Sequence, residues 1–243
     1  MQLNCDLGES DSNWRDGPES RVMPYINLAN IACGYHAGDP ETLQRTLALA
    51  REHNVAVGAH PSYPDRVGFG RRSMELQNDE IIAMLHYQIG ALEGMALSQG
   101  LRLSHMKPHG ALYHDMMTSR RVREAVFEAV ASYHRALPLI MQATARANEH
   151  RKEAQSVGIN LWFEAFADRR YADDGSLLPR DKSGALLDQK GTVDQTKQLC
   201  RQGTVTTASG AALTISADTL CLHGDNPDAV NAIAALHALI HDR

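Results

Sequence analysis

The sequence predicts an α/β domain in which seven parallel strands close into a barrel, on three observations. Short apolar runs alternate with longer stretches of helical periodicity along the whole chain. The 243 residues, 43% hydrophobic and 22% charged, suit one domain with enough core to fold alone. Residues able to do chemistry collect just past the strand ends, which a barrel gathers into one ring around one pocket, whereas an open sheet spreads them along an edge. No fixed-length repeat, low-complexity tract or linker interrupts the pattern, so residues 1–243 are read as a single domain.

Strand candidates fall near Gln2 to Cys5, Leu28 to Ala32, Val55 to Ala59, Leu101 to Met106, Leu139 to Met141, Leu161 to Glu164 and Thr219 to Leu222. Four helices announce their starts. Asp39-Pro40 precedes ETLQRTLALAREH, Asn78 precedes DEIIAMLHYQIGALEGMALSQ, Thr118-Ser119 precedes RRVREAVFEAVASY, and Asn226-Pro227 precedes DAVNAIAALHALIH. Two segments depart from the alternation. Arg169 to Arg180 carries Asp174-Gly175 between short extended pieces and reads as a hairpin or excursion, while Val205 to Ile215 is rich in Thr, Ser, Gly and Ala with no helical face. Both are read as extensions of the barrel.

A formal charge of -5 removes the basic footprint that a nucleic-acid or anionic-membrane binder needs. Four cysteines without a CxxC pair make neither a disulfide framework nor a structural zinc site, and they read as small buried residues. The start, MQLNCDLGES, has no basic and apolar leader pattern, so the cytoplasm is the expected compartment.

The strand ends supply acids and bases in quantity: Asp6, Glu9, His36, Asp39, His60, Asp65, Lys107, His109, Asp168, His223 and Asp225. That inventory suits a hydrolase, since general acid–base catalysis needs such groups facing one substrate. Asp6, His36, His60 and His109 would offer one oxygen and three nitrogens to a divalent ion such as zinc, but no HExxH or HxH pair accompanies them, so the metal question stays open. Neither GxxxxGK[ST] nor GxGxxG occurs; a phosphorylated species would meet the Asp39-Pro40 helix start, Lys107, and Arg71 or Arg72 of the Gly68-Phe69-Gly70-Arg71-Arg72 stretch.

Seven blocks now stand in order: NCDLGES, NLANIACGYHAGDP, VGAHPSYPDRVGFGRR, YQIGAL, KPHGALYH, EAFADRRYADDGSLLPR and LCLHGDNP. Together they resemble the LamB/YcsF family across essentially the whole chain. The resemblance implies a distorted seven-stranded, TIM-like β/α barrel of the glycoside hydrolase/deacetylase kind. It implies hydrolysis of 5-oxo-L-proline to L-glutamate with ATP as cosubstrate, ATP being bound mainly by a partner, in a complex with 5-oxoprolinase subunits B and C. Family blocks contain Asp6, His36, His60, Lys107 and His109, taken as the catalytic candidates, with Asp6 or His60 as base and Lys107 toward the phosphate. Asn30, Arg71, Arg72, Asp168, Arg169, His223 and Asp225 are the substrate-binding candidates. After the first block this chain is more compact than the family pattern, which suggests an altered lid at SDSNWRDGPESRVMPYIN. The rival readings are a stand-alone metal-dependent amidohydrolase or deacetylase and a non-catalytic binding subunit.

Overall fold

The computed structural model describes residues 1–9 and 17–241. Strands β1 (Gln2–Leu7), β2 (Leu28–Ala32), β3 (Ala56–His60), β4 (Leu103–Met106), β5 (Leu139–Gln142) and β6 (Leu161–Phe166) pair side by side in chain order. A short antiparallel hairpin, β7 (Thr204–Thr206) and β8 (Ala212–Thr214), stands outside the ring. The last strand, β9 (Thr219–His223), pairs in parallel with both β6 and β1 and closes the barrel. All seven predicted strands are present. The ring is distorted: β3 and β4 shift register between Val57 and Gly58, and β4 meets β5 through the single pair Met106 and Leu139.

Eight helices are formed among the described residues: α1 (Pro18–Val22), α2 (Pro40–Glu52), α3 (Asn78–Ser98), α4 (Gly110–Thr118), α5 (Arg120–Ala131), α6 (Ala147–Ser156), α7 (Gln189–Gln202) and α8 (Pro227–His241). The start signals hold with one shift of a residue. The Asp39 carboxylate accepts from Thr42 N at 2.8 Å, and Asn226 Oδ1 from Asp228 N at 3.1 Å. Ser119 Oγ accepts from Val122 N at 3.4 Å. At α3 the cap is Gln77 rather than Asn78, because Glu80 Oε2 reaches back to Gln77 N at 2.7 Å. α6 and α7 had no readable apolar stripe for a physical reason: α6 buries only His150 and Ala154, and α7 turns Thr192, Gln195 and Thr196 inward beside Leu199. No helix among the described residues is long and apolar enough to cross a membrane.

Helices and strands share the apolar core outside the ring, where Leu3, Cys5 and Leu7 of β1 and Leu47 of α2 are fully buried or nearly so. Inside the ring stand several buried polar residues, Asn4, Asn30, His105 and Glu164 among them. Strand register sets Asp6, Asn30, Gly58 and His105 in one row across β1 to β4, and hydrogen bonds link three of them: Asn30 Nδ2 donates to Asp6 Oδ1 at 2.8 Å, and Asn30 Oδ1 lies 2.7 Å from His105 Nε2. Gly58 makes room for the imidazole, since a Cβ there would fall 2.2 Å from His105 Nε2. Gly58→Ala is therefore expected to lower stability by about 1–3 kcal/mol through overpacking, read as a reduced urea midpoint with an unchanged m-value.

Arg169 to Arg180 folds back as expected. Ala172 N donates to Ser176 O at 2.8 Å and Leu178 N to Arg170 O at 2.9 Å, around Gly175 at φ +85°. The hairpin carries Leu177 and Arg180 over the mouth of the barrel.

Candidate active site

At the C-terminal ends of the barrel strands an open pocket is walled by Asp6, Glu9, His60, Lys107, His109 and His223, with Tyr113 and Phe166 at its side. Arg71, Arg169, Arg180 and Asp225 complete its wall. These residues come from the ends of five strands, β1, β3, β4, β6 and β9, and the segments that follow them, so closure of the barrel is what brings them together.

Lys107, just past β4, is the centre of the deeper part. Its ammonium donates to Asp6 Oδ1 at 2.9 Å, faces Glu164 Oε2 at 3.1 Å and lies 3.1 Å from Cys221 Sγ. Burial alone would favour the neutral amine, but the Asp6 charge and then its acidic neighbours outweigh burial and hold Lys107 well above its ordinary pKa. Asp6 is held in turn well below the usual carboxylate range: burial opposes ionisation, and the charges of His60 and Lys107 overcome it. With both donors on Oδ1, the other oxygen, Oδ2, is 3.4 Å from His60 Nε2. Cys5 and Cys221 are pushed well up, chiefly by burial, and Cys33 to about 12, so all three are neutral thiols and poor nucleophiles.

His60 ends β3, and its Nδ1 donates to the Lys107 carbonyl at 2.7 Å. His109, the residue before α4, donates from Nε2 to the Phe69 carbonyl at 2.9 Å. These carbonyls orient both rings, so that His60 Nε2 and His109 Nδ1 face each other and share a hydrogen bond at 3.0 Å. His36, in the turn after β2, stacks on His109 with centroids 3.7 Å apart and sets Nε2 2.9 Å from Glu9 Oε1. Gly110 lets α4 begin so close: at φ +56°, an added Cβ would lie 2.5 Å from the Gly70 carbonyl.

The five catalytic candidates, Asp6, His36, His60, Lys107 and His109, are thus one contiguous buried cluster. The substrate-binding candidates divide. Arg71, Arg169, His223 and Asp225 line the pocket. Asn30 lies below it, with its amide engaged by Asn4, Asp6 and His105. Asp168 is fully buried and orients His223 Nδ1 at 3.0 Å and Asn226 Nδ2 at 3.2 Å. Arg72 turns away from the pocket to pair with Asp65. Lys107, expected at a phosphate, has its donors engaged by Asp6 and Glu164 instead. The expected lid segment lies partly outside the described residues, at 10–16.

Sequence reasoning passed over Tyr113 and Arg180, and gave Glu9 and Glu164 no role. Tyr113 was findable: it stands four residues after His109 on a helix and so shares its face. Tyr113 Oη and Arg169 Nε are buried without a formed hydrogen bond, and burial, then the Glu164 charge, keeps the Tyr113 phenol protonated. Arg71 and Arg180 both donate to Asp225 Oδ2, at 2.7 and 2.9 Å, which leaves the rim with more cationic than anionic groups.

The profile of the LamB/YcsF family matches residues 1–243. The chain belongs to that family. Among its LamB/YcsF relatives, the second of the 5-oxoprolinase A subunits of Pseudomonas putida is 52% identical over 234 residues, covering 96% of this chain and 91% of that protein. The 5-oxoprolinase A subunit of Vibrio cholerae is 46% identical over 243 residues, covering 100% and 98%. The crystal structure of the lactam utilization protein from Thermus thermophilus matches with a TM-score of 0.88 at 36% identity, over 100% of this chain and 96% of that one. The seven-stranded barrel is therefore the fold of a family relative as well as of this chain.

Proposed function

We propose that this chain is the ring-opening component of an ATP-dependent 5-oxoprolinase, converting 5-oxo-L-proline to L-glutamate together with two partner subunits, B and C. The names of its relatives supply the substrate, and one observation carries the chemistry: a buried, ionised carboxylate held by a lysine stands beside oriented histidines, beneath a rim of arginines.

An unstrained lactam resists water because amide resonance makes its carbonyl a poor electrophile. In the proposed sequence the partners transfer a phosphoryl group from ATP to the lactam oxygen. This chain then holds the activated ring while water adds to its ring carbon, the carbon–nitrogen bond breaks and the nitrogen leaves as the amine. A second water releases inorganic phosphate. Asp6 Oδ2 accepts the proton of the attacking water, and Lys107 keeps Asp6 ionised and fixed. Arg71, Arg180 and Arg169 meet the phosphate and the carboxylate of the substrate, and Tyr113 Oη donates to it.

Arg71→Ala and Arg180→Ala are expected to raise KM for 5-oxoproline by roughly 10-fold or more each, the loss of one charge-assisted hydrogen bond, while thermal stability stays near wild type because both side chains sit at the surface. Glutamate release by the reconstituted complex measures this. An unchanged KM in both variants contradicts the assignment of the rim to the substrate.

A further inference from the structure

We propose that Glu9, His36, His60 and His109 bind a divalent transition-metal cation, of zinc's class, on the floor of the pocket. Their donor atoms are already close enough together to share such an ion after small side-chain adjustments. Glu9 Oε1 is 2.9 Å from His36 Nε2, 3.1 Å from His109 Nδ1 and 3.6 Å from His60 Nε2, and the last two nitrogens are 3.0 Å apart. A tetrahedral ion with bonds of about 2.0–2.2 Å needs donors about 3.4 Å apart. All four atoms lie within 4.8 Å of one another.

The tautomers point the same way. His60 Nδ1 and His109 Nε2 donate to the backbone carbonyls of Lys107 and Phe69, the outer-shell arrangement that presents the opposite nitrogen of an imidazole to a metal. A metal ion that displaces the proton shared by His60 Nε2 and His109 Nδ1 would meet both lone pairs beside Glu9 Oε1, which is 3.6 and 3.1 Å from the two nitrogens. Such a convergence calls for positive charge. Three imidazole nitrogens and one carboxylate oxygen suit zinc, cobalt or iron(II) better than magnesium or calcium, which prefer oxygen ligands. Two of the donors are held by the fold: His60 closes a strand and His109 caps the start of a helix.

Asp6, named as the oxygen ligand in the sequence reading, is replaced by Glu9, because Glu9 Oε1 lies within 3.6 Å of all three histidines whereas Asp6 pairs only with His60 among them, at 3.4 Å. The neighbouring group of Asp6, Cys221 and His223 already has its cation, with Lys107 Nζ 2.9 Å from Asp6 and 3.1 Å from Cys221.

The test is metal binding to the full chain after chelator treatment and dialysis, with zinc and cobalt(II) as probes and no 5-oxoproline present. Its outcome is thus independent of the proposed activity. The expected result is about one equivalent of metal per chain, with cobalt giving the intense visible absorption of a four-coordinate site. Glu9→Gln and His36→Gln should each weaken cobalt binding by more than about 100-fold, beyond what outer-shell changes produce, and Asp6→Asn should retain it. Far-UV circular dichroism verifies that each variant is folded, and the wild-type stoichiometry stands without any variant. Substoichiometric binding by wild type, showing that a proton alone occupies the histidine cluster, overturns the proposal. So does cobalt binding that Asp6→Asn abolishes and Glu9→Gln leaves intact.

Discussion

Asp6→Asn should reduce the kcat of glutamate release by about 100- to 10,000-fold, the range over which a positioned base contributes. Asparagine keeps the shape of the side chain, and its Oδ1 can still accept from Asn30 and Lys107 as the carboxylate does. What it removes is the charge and the proton-accepting Oδ2 that faces His60 at 3.4 Å. Lys107 retains Glu164 at 3.1 Å, so the buried ammonium is not stranded and the fold should persist. The expected signature is a large fall in kcat with a small change in KM and a near wild-type melting curve. Turnover that survives the substitution would show that another group takes the proton.

Lys107→Met is expected to have the largest effect on stability, a loss of about 3–5 kcal/mol, because removing one partner of a buried ion pair strands the other. Here it strands two carboxylates, Asp6 and Glu164, whose side chains are 8% and 0% exposed. Chemical denaturation of the isolated chain measures the loss. The double variant Lys107→Met/Glu164→Gln should recover a substantial part of it, since one uncompensated charge is removed with its partner. Failure of the second substitution to rescue would assign the destabilisation to packing rather than charge.

Much of the barrel was legible because each strand is short, apolar and followed by a polar exit, so counting runs located β1 to β6 and β9 to within a few residues. Asp6, His60 and His109 were legible for the same reason, as polar residues placed where apolar runs stop. The supporting layer was not. Period-two alternation is ordinarily read as apolar inward and polar outward, but this barrel inverts it: Asn4, Asn30, His105 and Glu164 point into the ring and are fully buried, while their apolar neighbours pack against helices. α7 inverts the rule too, with Gln195 Nε2 donating to the Phe166 and Arg169 carbonyls at 2.8 and 2.9 Å. Glu9 was seen as one acid among many, since nothing in its spacing from His36, His60 and His109 reveals that β1, β2, β3 and β4 end side by side. Asn30 and Asp168 were assigned to substrate because a family block preserves a residue's identity without saying whether it touches the ligand or braces what does. Arg72 was misplaced because two adjacent arginines look equivalent in sequence, and only the turn at Gly68 to Gly70 sends one to Asp225 and the other to Asp65.

The most direct test of the account is glutamate formation from 5-oxo-L-proline by the purified chain, alone and mixed with the two partner subunits, with and without ATP. The account predicts glutamate only when chain, partners and ATP are all present, with one ATP consumed per ring opened. Ring opening by the chain alone without ATP would contradict it, and would identify the barrel as a self-sufficient amidohydrolase.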